Sequence, residues 1–127
     1  MVREIIRTKN APMPKGPYSQ GIKVGNFVFI SGQGPFDPET GERAGSDVES
    51  QTRQTLHNIR AIVEESGFSM RDVVHMMVFL KNVGDFPKTN ELYKDFFGER
   101  APTMTIAEAN FVAQGILVTI DAIAYRE

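Results

Sequence analysis

Polar residues at three places in the chain are of types that contact ligands in proteins. Two of these places directly follow a rigid or an apolar segment. Tyr18 follows a proline-rich segment and offers a phenol on a stiff backbone, since proline fixes φ. Ser31 and Gly32 follow the apolar run Phe27–Ile30, where a hydroxyl and a free backbone amide can line a cleft. Asn90 offers an amide on a predicted helix. Each of these groups also suits a local hydrogen bond, and the pattern leaves both interpretations open.

A carboxylate interrupts the last apolar segment of the chain. Strand alternation puts Asp121 on one face with Leu117, Thr119 and Ile123, with Thr119 and Asp121 about 6.5–7 Å apart. A carboxylate among apolar side chains is paired, lies at a subunit rim, or is held for proton transfer. The spacing alone leaves these three roles open.

The residue types that bind metals or attack substrates are scarce. Cysteine is absent, which excludes disulfides, thiolate metal sites and cysteine nucleophiles. His57 and His75 are the only histidines, and they lie on different predicted elements without the spacing of metal ligands. The segment Gly32–Gly34 has no helix predicted after it, so it does not indicate a phosphate-binding loop. We therefore expect no metal site.

Short β-rich runs separated by turn residues predict a sheet that positions these groups. Gly25 and Asn26 separate two such runs and predict a tight hairpin. Residues 34–45 are rich in turn residues and predict a loop. Strands are predicted over residues 5–6, 22–24, 27–31, 73–80, 103–109 and 116–124.

Two helices are predicted between these strands. Ser46–Glu49 fits a capping box, and apolar residues recur behind it at helical spacing as far as Gly67. Asp85 is predicted to cap the second helix, with Pro87 tolerated in its first turn and Gly98 at its end.

The order of elements predicts the α/β (α+β) class, with two helices on one face of a mixed sheet. The segment Val73–Leu80 is apolar at both parities, as expected for a strand covered on both sides. One face would carry Val73, His75, Met77 and Phe79, and the other Val74, Met76, Val78 and Leu80. Because two helices cover only one face of the sheet, the second face indicates burial against another copy of the chain.

Composition limits which classes of protein the chain can belong to. The 127 residues suit a single domain over residues 1–127, with 41% hydrophobic and 24% charged residues. The net charge is −2, so a nucleic-acid-binding surface is not indicated. No apolar run approaches the ~20 residues that span a bilayer, and residues 1–10 do not form a signal-peptide core. We expect a soluble cytoplasmic protein that binds neither nucleic acid nor membrane.

The chain resembles the Rid family, also called YjgF and RutC-like, along essentially its whole length. The motifs that carry the resemblance are GPYSQ at 16–20, SGQ at 31–33, DPETG at 37–41, QTRQTLHNI at 51–59, VV at 73–74, VFL at 78–80, NELY at 90–93 and IDAIA at 120–124. No motif is unique, but all occur in order with their spacing intact.

The resemblance implies a chorismate-mutase-like fold and a homotrimer of barrel-like shape with three clefts between subunits. The best-known members are enamine/imine deaminases, which hydrolyse 2-iminopropanoate and 2-iminobutanoate to 2-oxo acids and ammonia without a cofactor. In them an arginine clamps the substrate carboxylate, for which its planar fork is suited. A glutamate positions the attacking water.

Transferred position by position, the resemblance places Tyr18, Ser31, Gly32 and Asn90 in the cleft. The family's arginine position falls on Met104, within the segment that follows Pro102, and its glutamate position falls on Thr119. Both positions are assigned to ligand contact here, and the catalytic residues stay unidentified.

These two substitutions weigh against the standard reaction. Loss of a charge-assisted bidentate contact costs about 2–5 kcal/mol of binding, and threonine is no general base at neutral pH. Arg100 and Asp121 are the nearest charged residues that could act in their place.

Three functional hypotheses follow, and they leave open whether the protein is an enzyme. The leading one is a homotrimer that binds a different small molecule, neutral or aromatic, in its inter-subunit clefts, with or without hydrolytic deamination of another imine or enamine. The second is residual 2-iminobutanoate/2-iminopropanoate deaminase activity. The third is a non-catalytic binding or chaperone-like protein. RNA cleavage, ascribed to some relatives, is disfavoured by the absence of a basic patch and of paired histidines.

Overall fold

The computed structural model describes residues 2–127 and contains one six-stranded sheet. The strands are β1 (Arg3–Ile6), β2 (Gly21–Val24), β3 (Phe27–Gln33), β4 (Val73–Leu80), β5 (Thr103–Glu108) and β6 (Val118–Tyr125). They lie in the order β1-β2-β3-β6-β4-β5, and all neighbours are antiparallel except the parallel pair β4–β5. The mixed sheet and the short first strand are therefore confirmed.

Two helices, α1 (Val48–Glu65) and α2 (Phe86–Phe97), pack on one face of this sheet, as predicted. Leu56, Ile59 and Ile62 of α1 are fully buried, at helical spacing, against the inward residues of β3, β4 and β6. Gly21 of β2 faces the helix, where an added Cβ would lie 2.9 Å from Ile62 Cγ2. The close approach of β2 to α1 therefore requires glycine. None of the helices in residues 2–127 is long and apolar enough to cross a lipid bilayer.

The predicted cap of α1 differs from the structure, while the predicted cap of α2 is confirmed in position but not in its side-chain hydrogen bond. The N-cap of α1 is Asp47, whose carboxylate accepts a 2.8 Å hydrogen bond from the Ser50 amide, so the capping box Ser46–Glu49 does not form. Asp85 is the N-cap residue of α2, as predicted, but its backbone is already helical in the 3₁₀ turn Val83–Asp85 and its side chain accepts no capping hydrogen bond. It lies 3.5 Å from Lys88 Nζ instead. The predicted end of α1 is confirmed, because Gly67 has a φ of +86°.

The predicted face assignment at the start of β4 is wrong because the strand is irregular there. The register with β6 shifts between Val73 and His75, so Val73 is buried with the helix-facing residues and Val74 is exposed. The rest of the alternation holds. Met76, Val78 and Leu80 are buried, while His75, Met77 and Phe79 are half-buried on the opposite face.

That opposite face, which we call the open face, carries exposed aromatic residues at its β3 side. Phe29 is 48% exposed, and the Phe27 ring centroid lies 6.3 Å from that of Phe29 and 4.9 Å from that of Tyr125. Ile5 of β1 is also exposed. It pairs with Ile22 of β2, which in turn pairs with Phe29 of β3, so the three residues lie side by side across the sheet. The open face is thus apolar and accessible in the single chain.

Candidate functional site

A cavity of about 610 Å³ lies beside the end of β3. Its walls come from residues 12–20, from the end of β3 with the loop that follows it (residues 32–41), and from the loop 111–116, together with Thr119 of β6. The walls are mostly apolar, and Phe36 and Phe111 are their aromatic members. A cavity of this size and character suits a small organic ligand.

Tyr18, Gly32 and Thr119, three of the predicted ligand-contacting residues, line this cavity together. Tyr18 is held by the preceding proline segment, where its amide donates a 2.9 Å hydrogen bond to the Gly16 carbonyl. Its side chain is 54% exposed, so the phenol is available to a ligand.

Ser31 has a different environment from its neighbour Gly32. It lies within β3 and not at its end, since the strand continues to Gln33. Its hydroxyl donates a 2.5 Å hydrogen bond to the Ser19 carbonyl, and it lines an adjacent cavity of about 190 Å³. In the single chain, Ser31 therefore ties β3 to the segment that carries Tyr18.

Asn90 and Met104, the other two predicted contacts, lie away from this cavity. Met104 belongs to the edge strand β5, pairs with Met76 and packs against the core on the helix side of the sheet. Asn90 is exposed on α2. Thr119 lies two strands away on the open face, so one chain does not bring Met104 and Thr119 together.

The two charged residues suggested as replacements also lie outside the cavity. Arg100 is exposed in the turn between α2 and β5. Asp121 is half-buried on the open face opposite Met77. Burial raises the pKa of the Asp121 carboxyl above its ordinary value, and the nearby His75 opposes this shift.

Both histidines make local contacts outside the cavity. His57 is exposed on α1, with its ring 5.1 Å from that of Phe96 and its Nδ1 2.7 Å from Arg60 Nη2. Burial, then the charges of Arg60 and Arg53, lower the pKa of this imidazole. His75 Nδ1 lies 2.7 Å from Thr103 Oγ1. Within residues 2–127 no group of three or more His, Cys, Asp and Glu side chains could hold a metal ion.

Two buried amides of α1 position two walls of the cavity. Gln51 Nε2 donates to the Gly115 carbonyl at 2.8 Å, and Gln51 Oε1 accepts from the Leu117 amide at 2.8 Å. Asn58 Nδ2 donates to the carbonyls of Gly34 and Phe36 at 3.0 and 2.9 Å. Both side chains are 0% exposed, so these bonds are shielded from water.

Gln20 positions the third wall in the same way. Its Nε2 donates to the carbonyls of Thr8, Ala11 and Pro12 at 3.0, 3.2 and 2.9 Å, and its Oε1 accepts from the Thr8 amide. Sequence reasoning missed all three amides as positioning groups. For Gln51 and Asn58 the available signal was an amide on the apolar face of a helix, where an apolar residue is expected.

Comparisons of the sequence and of the structure with known proteins indicate the same protein family. Residues 8–126 match the family model described as Endoribonuclease L-PSP. A RutC family protein of Pyrococcus horikoshii is 50% identical over 126 residues, which cover 99% of this chain and 100% of the relative. The 2-iminobutanoate/2-iminopropanoate deaminase of Escherichia coli is 41% identical over 124 residues, which cover 95% and 96%.

Among solved structures, Escherichia coli TdcF with bound serine superposes with a TM-score of 0.91 at 41% identity, covering 98% of this chain and 99% of that chain. The chorismate-mutase-like fold expected from the sequence is confirmed by this similarity. The protein belongs to the Endoribonuclease L-PSP family, also known as the YjgF/RutC/Rid family.

Proposed function

We propose that this protein is a homotrimer that binds a small molecule in clefts between its subunits and has diverged from 2-imino acid hydrolysis. The observation that carries the proposal is that Thr119 lines the 610 Å³ cavity at the family's glutamate position. A threonine hydroxyl has no basicity at neutral pH, so it cannot take a proton from an attacking water as a carboxylate does.

The arginine position adds a second difference. Met104 offers no charge for a substrate carboxylate, whereas arginine binds a planar anion through two parallel hydrogen bonds. Removing such a contact costs about 2–5 kcal/mol, which is about 30-fold to several thousandfold in affinity. A short 2-imino acid has few other groups that can contact the protein. Its affinity is therefore reduced most by the loss of the carboxylate contact.

The placement of the site residues supports a cleft made by two chains. Tyr18, Gly32 and Thr119 belong to the cavity beside β3, while Met104 and Asn90 belong to the opposite side of the sheet. A second copy that brings its β5 edge to the cavity would complete the site. The apolar open face gives the copies a reason to associate, since its burial releases ordered water from Phe29 and its neighbours.

Residual deaminase activity is the second candidate. It is favoured by the 41% identity to a protein named 2-iminobutanoate/2-iminopropanoate deaminase over nearly the whole chain. It requires another group to orient the water, and Asp121 lies two residues from Thr119 on the same face.

Hydrolysis of 2-iminobutanoate, generated in situ and followed by release of 2-oxobutanoate, separates the two candidates. We expect the wild-type protein to add little to the spontaneous rate and Met104→Arg/Thr119→Glu to gain at least a hundredfold. Tyr18→Phe in the double variant should then reduce the gained activity. Rapid hydrolysis by the wild-type protein, lost on Asp121→Asn, would reject divergence and establish the second candidate.

A further inference from the structure

The cavity beside β3 contains a cation that the predicted site did not include. Lys15 lines it from the segment Pro12–Tyr18, where prolines on both sides restrict the backbone. Its Nζ lies 5.4 Å from the ring centroid of Phe36, another lining residue. This cation–π contact holds the ammonium over an apolar wall of the cavity.

The ammonium of Lys15 is not neutralised by a carboxylate. The ion pairs found between residues 2 and 127 are Lys88–Asp85 and Lys94–Glu91, both at α2. Asp37 is the other charged residue of the cavity, and its Oδ1 accepts hydrogen bonds from the amides of Glu39 and Thr40 at 2.7 and 3.2 Å. One oxygen of Asp37 thus binds its own loop, and no carboxylate of residues 2–127 forms an ion pair with Lys15, so its ammonium is available to a ligand.

The rest of the cavity indicates the remainder of that ligand. Phe36, Phe111 and Ile116 provide apolar walls, and the volume exceeds what a short imino acid fills. Thr119 and the Tyr18 phenol supply neutral hydrogen-bonding groups. An anion joined to an aromatic ring would match the cation and the walls together.

We infer that Lys15 binds the carboxylate of an aromatic monocarboxylic acid in this cavity and so supplies the charge that Met104 lacks. This inference rests on the proposed function, because it takes the same cavity as the ligand site. It narrows the ligand from a neutral or aromatic molecule to an aromatic anion.

A pair of probes with the same skeleton tests the inference: 3-phenylpropanoate and its uncharged analogue 3-phenylpropanamide. Affinity is measured by calorimetry, and the site is located by the NMR signal of the Met13 methyl, which lines the cavity. We expect the acid to shift this signal and to bind about two- to fivefold more tightly than the amide, the scale of one exposed charge contact.

Variants of two lysines assign the charge. Lys15→Met should lower the affinity for the acid to that of the amide and leave the amide unaffected, whereas Lys15→Arg should retain binding of the acid. Lys23→Met is the matched control, since Lys23 Nζ lies 5.6 Å from the Phe68 ring centroid outside the cavity. It should change neither affinity.

Equal binding of acid and amide, unchanged by Lys15→Met, would overturn the role of Lys15 and leave the cavity as the proposed ligand site. Absence of any shift at Met13 with both probes would overturn the inferred ligand class. The imine hydrolysis assay is independent of both results, so failure of the proposed function would be recognised separately.

Discussion

Gln51 and Asn58 lie seven residues apart on the buried face of α1, and each binds the backbone of a different wall of the same cavity. Two helical turns separate them, so both amides point to the same side of the helix. The distance between the two walls is thereby set by a rigid element and not by the loops themselves. Gly115 accepts one of these hydrogen bonds. Glycine is favoured at this position because its φ is +80° and an added Cβ would overlap the Arg43 guanidinium.

Removal of either amide should destabilise the chain. Gln51→Leu leaves the Leu117 amide and the Gly115 carbonyl without a partner in a buried site, and each unsatisfied group costs about 1–3 kcal/mol. We expect a loss of about 2–4 kcal/mol in the free energy of unfolding, measured by urea denaturation. Gln114→Leu is the control at an exposed glutamine, and its effect should stay within about 0.5 kcal/mol. Equal effects of the two variants would show that the buried bonds contribute little.

A charge on the open face should disrupt assembly. Phe29→Glu places a carboxylate at the apolar surface proposed to be buried between subunits, where an unpaired charge is strongly disfavoured. We expect light scattering to give the mass of three 14.2 kDa chains for the wild-type protein and of one chain for the variant. Val83→Glu is the control: Val83 is an apolar residue of similar exposure in the turn before α2, and its replacement should leave the trimer intact. A monomeric wild-type protein at micromolar concentration would contradict the proposed assembly.

Asp121 should make stability depend on pH. Its pKa is raised in the folded chain, chiefly by burial, so the folded state holds this proton more tightly than the unfolded state does. The corresponding stability is present below the ordinary value of 3.8 and is lost as the pH rises through the raised pKa. Asp121→Asn should therefore raise the urea midpoint at neutral pH more than it does below 3.8. Equal changes of the midpoint at the two pH values would contradict this prediction.

The strands and helices could be predicted from the sequence because their apolar periodicity is strong and glycines mark their ends. Leu56, Ile59 and Ile62 recur on one face of α1, and all three are buried as this spacing requires. The cap at Asp47 could not be located, since a shift of one residue at a helix start leaves the apolar pattern unchanged. The irregularity at Val74 was also hidden, because β4 is apolar at both parities and a bulge alters nothing in its composition.

The lining of the cavity was predictable only in part. Tyr18, Gly32 and Thr119 share a cavity, in agreement with the resemblance that selected them. Lys15 was not selected, because the lysine of a proline-rich segment gives no pattern that distinguishes it from other exposed lysines. Its significance comes from the Phe36 ring and the cavity that it faces, both of which arise from the fold of a loop about twenty residues away.

The central claim is that Met104 of one chain and Thr119 of another form one cleft, and cross-linking tests it most directly. The chain contains no cysteine, so Met104→Cys/Thr119→Cys introduces the only two thiols. Within one chain these positions lie on opposite faces of the sheet and, from strand spacing, about 14 Å apart, too far for a short cross-linker. Treatment with a short bifunctional maleimide should give covalent dimers and trimers on a denaturing gel, while each single variant gives almost none. A double variant that stays at the mass of one chain, whatever the protein concentration, would contradict the account.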